Sequence, residues 1–256
     1  MDTRIRSNYE ARLARVPLLL LGFASILWYY LALPSIRSAA AVRDVSARIL
    51  SDDRLKPGAI SKMAAQVADR PKLKVEQSES VRGEALILLR AAEEATGKKP
   101  PDEVDREVKT AEEKIEFSLS VNPTDSFLWL MLYSTAISRD GLDSHKIRYL
   151  DQSYIIAPFE GWIALRRNRV GLAVFPILAE TTMDKVVSEF AALIDSNFVE
   201  EAVTNFESVN LAERARLLSS LDRVNRVSLE SFAKKLRRNG LKASVPGVEI
   251  DARPWQ

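Results

Sequence analysis

AEEKIEFSLSVNPTDSFLWLMLY, residues 111–133, is the stretch whose reading decides the fold. Ala111, Ile115 and Leu119 recur at four-residue spacing, which lines them along one face of an α-helix. Ser118 beside that face is small enough to let a second helix come close. Asn122-Pro123-Thr124-Asp125 closes the helix, because proline lacks an N–H and pushes the residue before it out of helical geometry. The next helix then opens with Phe127 and carries Trp129, Leu132 and Tyr133. At a period of 35 residues, Leu150, Ser153 and Pro158 reproduce Ile115, Ser118 and Pro123, and Trp162 with Leu165 follows the second proline as Trp129 and Leu132 follow the first. A helix pair that recurs at a fixed period cannot bury its apolar face alone, so it stacks on its neighbours.

These residues resemble the tetratricopeptide repeat, whose helix A carries a Trp-x-x-Leu pattern and whose helix B ends at proline. The likeness covers residues 81–179, with one good unit and weaker neighbours. Tyr133 stands where that family prefers a small residue, and Lys146 falls near its usual helix B alanine. An ordinary helical bundle with the same spacings is the alternative. The resemblance implies a protein that binds partner proteins or peptides in a groove and is not an enzyme. Tyr133, Arg166, Arg167 and Arg169 are then the candidate partner-binding residues.

Outward from this centre, periodicity predicts further helices. Upstream lie Val81–Ala95, closed by Gly97-Lys98-Lys99-Pro100-Pro101, then Ile60–Asp69 and Ala39–Leu50, with Pro71–Ser80 as a polar linker. Downstream, Asp143 or Ser144 caps a helix reaching Ile156, and others are expected near Glu160–Gly171, Thr182–Ile194 and Phe198–Glu207. Asn210 with Glu213 forms a capping box opening Leu211–Asn225. Ser228 opens the last helix, and Gly240 is placed as its C′ residue. Strand-like alternation is missing, so the fold class is all-α.

At the other end, Val16–Leu33 reads VPLLLLGFASILWYYLAL without a charge, between Arg12/Arg15 and Arg37/Arg43. A bilayer-spanning helix takes roughly 20 apolar residues, and Trp28, Tyr29 and Tyr30 suit the headgroup level. The reading is a retained single-pass anchor. A signal peptide cleaved near Ser38-Ala39-Ala40 and a buried soluble helix are the alternatives. The expected organisation is a short cytoplasmic head over 1–15, a transmembrane helix over 16–34, and juxtamembrane helices with a linker over 35–80. A TPR-like helical-hairpin array over 81–179, C-terminal helices over 180–240 and an irregular tail over 241–256 follow. Arginines flank the span almost evenly, so orientation rests on translocation of the large body, expected in the periplasm beyond a bacterial inner membrane.

Composition limits the chemistry. Among 256 residues, 37 Lys+Arg balance 35 Asp+Glu, which gives no argument for nucleic acid. There is no cysteine and one histidine, His145, so neither a thiolate nucleophile nor a zinc site is expected, and no cofactor. His145 beside Ser144 and Asp143 reads as a helix start, not a triad. The carboxylates of Glu79-Ser80, Glu207-Ser208 and Glu230-Ser231 superficially resemble the Glu-Ser of lytic transglycosylases, whose further Gly-Leu-Met-Gln-type motif is missing here. The densest basic cluster, Lys234, Lys235, Arg237 and Arg238, complements a helix C-terminus and is the candidate contact for an anionic surface. The expected function is a membrane-anchored scaffold or accessory subunit that recruits other envelope proteins, with homo-oligomerisation open. An envelope glycan-processing enzyme using carboxylates is the alternative.

Overall fold

The computed structural model describes residues 21–29, 58–69, 78–158 and 160–248, and every regular element among them is helical. Residues 21–29 form α1. Then come α2 (Ala59–Ala68), α3 (Ser78–Ala95), α4 (Pro101–Val121), α5 (Ser126–Asp140), α6 (Ser144–Ile156) and α7 (Gly161–Ala173). They are followed by α8 (Glu180–Asp195), α9 (Val199–Glu207), α10 (Leu211–Ser219) and α11 (Arg226–Arg238), with 3₁₀ turns at Phe175–Ile177 and Leu221–Arg223. The head over 1–15, half of the apolar run, the helix expected over Ala39–Leu50, most of the linker after it and the tail beyond Val248 lie outside the described residues. No helix among the described residues is long and apolar enough to cross a membrane.

Three boundaries differ from expectation, each for a local reason. The linker ends early, because α3 begins at Ser78. The single helix expected over Leu211–Asn225 breaks after Ser219. There the hydroxyls of Ser219 and Ser220 donate back to the carbonyls of Arg216 and Leu217 at 2.8 and 2.7 Å, competing with the backbone ladder. Asn225, not Ser228, caps α11, its Oδ1 accepting the Val227 N–H at 2.9 Å. Other caps fall as expected: Asp143 accepts from His145 N–H at the start of α6, and Asn210 and Glu213 close a reciprocal box at 3.0 and 3.1 Å. At the end of α11, Gly240 takes φ 80°. Its N–H reaches Arg237 O while Leu241 N–H reaches Leu236 O, a Schellman closure.

Contacts divide the chain into two units, Met1–Ser118 and Leu119–Gln256, and the division falls within α4. The expected repeat region therefore spans both. In the first unit, α2 lies on α3 through Ile60 and Ile87, surrounded by Met63, Ala64, Val67 and Ala91. Lys114 of α4 reaches Glu84 of α3 at 2.7 Å.

In the second unit, α5 pairs with α6 and α7 with α8, while α5 also meets α7 and α6 meets α8. The result is one helical hairpin laid on another. Helix boundaries carry the period seen in the sequence: α4 and α6 end at Val121 and Ile156, and α5 and α7 begin at Ser126 and Gly161, each pair 35 residues apart. Counted from the helix starts, however, Trp162 corresponds to Phe127 and not to Trp129. Trp162 meets Phe127 with centroids 4.9 Å apart and the rings tilted by 42°. Trp129 instead donates its indole N–H to Pro123 O at 2.9 Å and meets Tyr149 at 5.9 Å. Phe190, Phe206 and Phe232 join α8, α9 and α11, with centroids 5.8 to 6.3 Å apart.

Gly171 sets the closest approach in this unit. A Cβ there would lie 2.9 Å from both the Tyr154 hydroxyl and a Val186 methyl. Both neighbours are fully buried or nearly so, so neither can step aside. Gly171→Ala is expected to destabilise the protein by about 1–3 kcal/mol through overpacking. A urea titration followed by circular dichroism measures this, and G171A/V186A should recover part of the loss; an unchanged midpoint in G171A would contradict the close packing.

Candidate functional site

Helix α7, GWIALRRNRVGLA, divides its chemistry between two faces. Ile163, Ala164, Arg167, Asn168, Gly171 and Leu172 are buried, on a stripe that repeats every four residues. Trp162, Arg166 and Arg169 are exposed at i, i+4 and i+7, so they form a second stripe on the outside.

The buried face centres on Arg167, which has no solvent exposure. Its Nη2 and Nε donate to Glu189 Oε1 at 2.5 and 3.0 Å. Its Nη1 reaches Ser153 O at 2.8 Å and Ser126 Oγ at 3.2 Å, and Nη2 reaches Ala157 O at 2.9 Å. Ser153 O lies in the last turn of α6 and also accepts the Ala157 N–H at 3.4 Å, while Ala157 O lies at the cap, beyond the helix's own ladder. Arg167 thus closes the end of α6 with a cation where the helix dipole favours one. Ser126 and Ser153 exchange hydroxyl-to-carbonyl bonds at 2.9 Å each. Tyr154 donates to Glu189 Oε2 at 2.8 Å, and its ring lies 4.2 Å from the guanidinium carbon. Asn168 donates to Val186 O and accepts from Asn205 at 3.0 Å, extending the network to α9. Burial pushes the Glu189 carboxyl above the ordinary glutamate value, and Arg167 pulls it part of the way back. Burial likewise pushes the Tyr154 hydroxyl well up.

This placement corrects two of the partner-surface candidates. Arg167 and Tyr133 are 0% and 2% exposed and belong to the interior; Arg167 is there because Glu189 and the end of α6 neutralise it. In the structure Arg167 and Asn168 continue the buried Ile163–Ala164 stripe one turn on. Arg166 and Arg169 remain outside, Arg166 with its guanidinium carbon 5.9 Å from the Phe127 centroid. Trp162 is 44% exposed and Phe127 beneath it is buried, so an indole and two guanidinium groups share one surface over the phenyl ring.

Of the basic cluster, Lys234, Arg237 and Arg238 are exposed, whereas Lys235 pairs with Glu200 at 3.0 Å. His145 is exposed at the start of α6 and meets Arg148. Among the candidate acids, Glu207 accepts from Asn239 at 2.8 Å and Glu230 pairs with Arg226 at 3.0 Å. Asp184, Asp195 and Asp222 do line one open groove of about 470 Å³. Asp184 is bound there by Arg216 at 2.8 Å, and Asp195 accepts the Asn225 N–H at 2.8 Å. No group of acids and histidine able to hold a metal occurs among the described residues. Comparison with protein-family models, curated proteins and solved structures found no match.

Two measurements probe the interior. Arg167→Met leaves Glu189 buried without its partner and is expected to cost about 3–5 kcal/mol. R167M/E189M should regain much of this, and a small effect of R167M in a denaturant titration would contradict the network. The Tyr133 hydroxyl is buried without a hydrogen-bond partner, and burial raises its pKa from 10.0 to about 12. Between those values the folded chain keeps a proton that the unfolded chain has lost, so stability falls as pH rises through that window. Tyr133→Phe should match or exceed the parent at pH 7 and lose less stability in alkali. A steeper alkaline loss in Y133F would refute the assignment.

Proposed function

We propose that this chain is a membrane-anchored helical-repeat scaffold that presents the outer stripe of α7 to another envelope protein. The observation that carries this reading is the Trp162–Arg166–Arg169 surface, an exposed indole seated on the buried Phe127 ring beside guanidinium groups on a hairpin stack. Aromatic and arginine side chains are the types that dominate protein interfaces, since they combine large contact area with directed hydrogen bonds. The 35-residue recurrence of helix boundaries supports a tetratricopeptide-like array.

Anchoring is the second half of the proposal. In α1, Leu21, Phe23, Ile26, Leu27, Trp28 and Tyr29 are each 50% or more exposed, an apolar helix surface left for lipid. We place Val16–Leu33 across a bacterial inner membrane as a single span, with the body in the periplasm. Polysaccharide assembly or secretion is one setting in which such an accessory subunit would serve. The second reading, carboxylate-based glycan processing, would draw on the Asp184–Asp195–Asp222 groove. It is the weaker one because Asp184 and Asp195 are already engaged in holding the fold.

A photo-crosslinking amino acid at position 162 of the full chain, activated in living cells, tests the surface. Specific adducts are expected, falling at least fivefold with R166E/R169E while circular dichroism is unchanged. A chain that stays monomeric and yields no adduct overturns the scaffold reading. Reporter fusions after Gln256 test topology: activity is expected only from a reporter that works outside the cytoplasm.

A further inference from the structure

We infer that the outer face of α11 docks on anionic lipid headgroups and holds the Leu119–Gln256 unit against the bilayer. This rests on the anchored reading above. Leu229, Phe232, Ala233 and Leu236 face the core, which leaves Lys234, Arg237 and Arg238 on the opposite side, exposed. The other cations of this helix are engaged: Lys235 with Glu200 and Arg226 with Glu230, both at 3.0 Å. Lys234, Arg237 and Arg238 form no ion pair among the described residues. Nor does the helix end need them. Asn239, Gly240 and Leu241 N–H groups already bond Lys235, Arg237 and Leu236 carbonyls, so the last turn is closed by backbone alone. Lys242, also exposed, adds a fourth cation just beyond.

Such a face suits a surface of many separate negative charges. Each cation near an anionic leaflet is worth roughly a fivefold shift in binding, and three together give about 100-fold. For a free protein that is weak. A tether through residues 16–33 makes the contact intramolecular, where modest affinity suffices at high effective concentration. The tether also favours lipid over an acidic polymer as the occupant.

The chain contains no cysteine, so full-length Ser231→Cys carries a single fluorophore on α11. Reconstituted into nanodiscs with an acceptor-labelled headgroup, it should transfer energy strongly in phosphatidylglycerol discs and weakly in phosphatidylcholine discs. The difference should vanish in ~1 M salt, where the Debye length shrinks to about 3 Å, and in K234E/R237E/R238E. The neutral variant K234Q/R237Q/R238Q, checked by circular dichroism, should give the same loss. Equal transfer in both lipids, or transfer untouched by either triple variant in discs that do hold the chain, overturns the docking face and leaves anchoring intact. A chain that enters neither disc overturns the anchor and this inference with it. A fluorescence response to soluble polygalacturonate without a lipid effect reassigns the face to an acidic polymer and overturns the lipid proposal.

Discussion

The pairing of Arg167 with Glu189 is the constraint on which the second unit depends. A guanidinium without solvent contact is expensive to bury, and the cost is met only when its donors and the facing carboxylate are all engaged. Here Arg167 on α7 draws its partners from three other helices: Ser126 at the start of α5, Ser153 and Ala157 at the end of α6, and Glu189 on α8. Shifting any one of these helices by a turn would leave several buried polar groups unpaired. The network therefore fixes the register of one hairpin on the other more strictly than apolar packing can.

The same arrangement explains why a proline and a small residue recur with the helix ends. Pro158 forces α6 to stop, which leaves the Ala157 carbonyl outside the helix for Arg167 to take up. Ser153 is small enough to admit both Ser126 and the guanidinium. Tyr154, one residue on, supplies the ring under Arg167 and the hydroxyl for Glu189. Gly171 in turn makes room for that hydroxyl. A sequence feature that marks helix termination is thus also the acceptor end of a buried ion-pair site.

Most of the helical scaffold was legible because caps and apolar periodicity are local: Asp143, the Asn210–Glu213 box and Gly240 each act within a turn or two. What was hidden depended on partners far along the chain. Nothing near Arg166-Arg167-Arg169 announces that the middle arginine finds Glu189, 22 residues on. Adjacent arginines look alike until the face they occupy is known. Trp162 shows the opposite case: an aromatic at a repeat position would suit the core, yet the offset between Trp129 and Trp162 leaves it 44% exposed over Phe127. Ser228 misled because Asn225, three residues earlier, is the better acceptor for free helix N–H groups.

Where a chain leaves its polar groups unmatched is where it can still do work on something else. In the Leu119–Gln256 unit the network around Arg167 is closed: Arg167, Glu189, Tyr154, Asn168 and Asn205 bond one another or backbone. Such groups have no remaining capacity to polarise a substrate, and moving them would unmake the hairpin stack. The surface differs. The α7 stripe joins aromatic area to guanidinium groups, a combination suited to a shaped partner, while the α11 face is cationic with no aromatic ring, suited to a diffuse field of negative charge. A rigid interior is what allows two faces of one small unit to keep these separate chemistries.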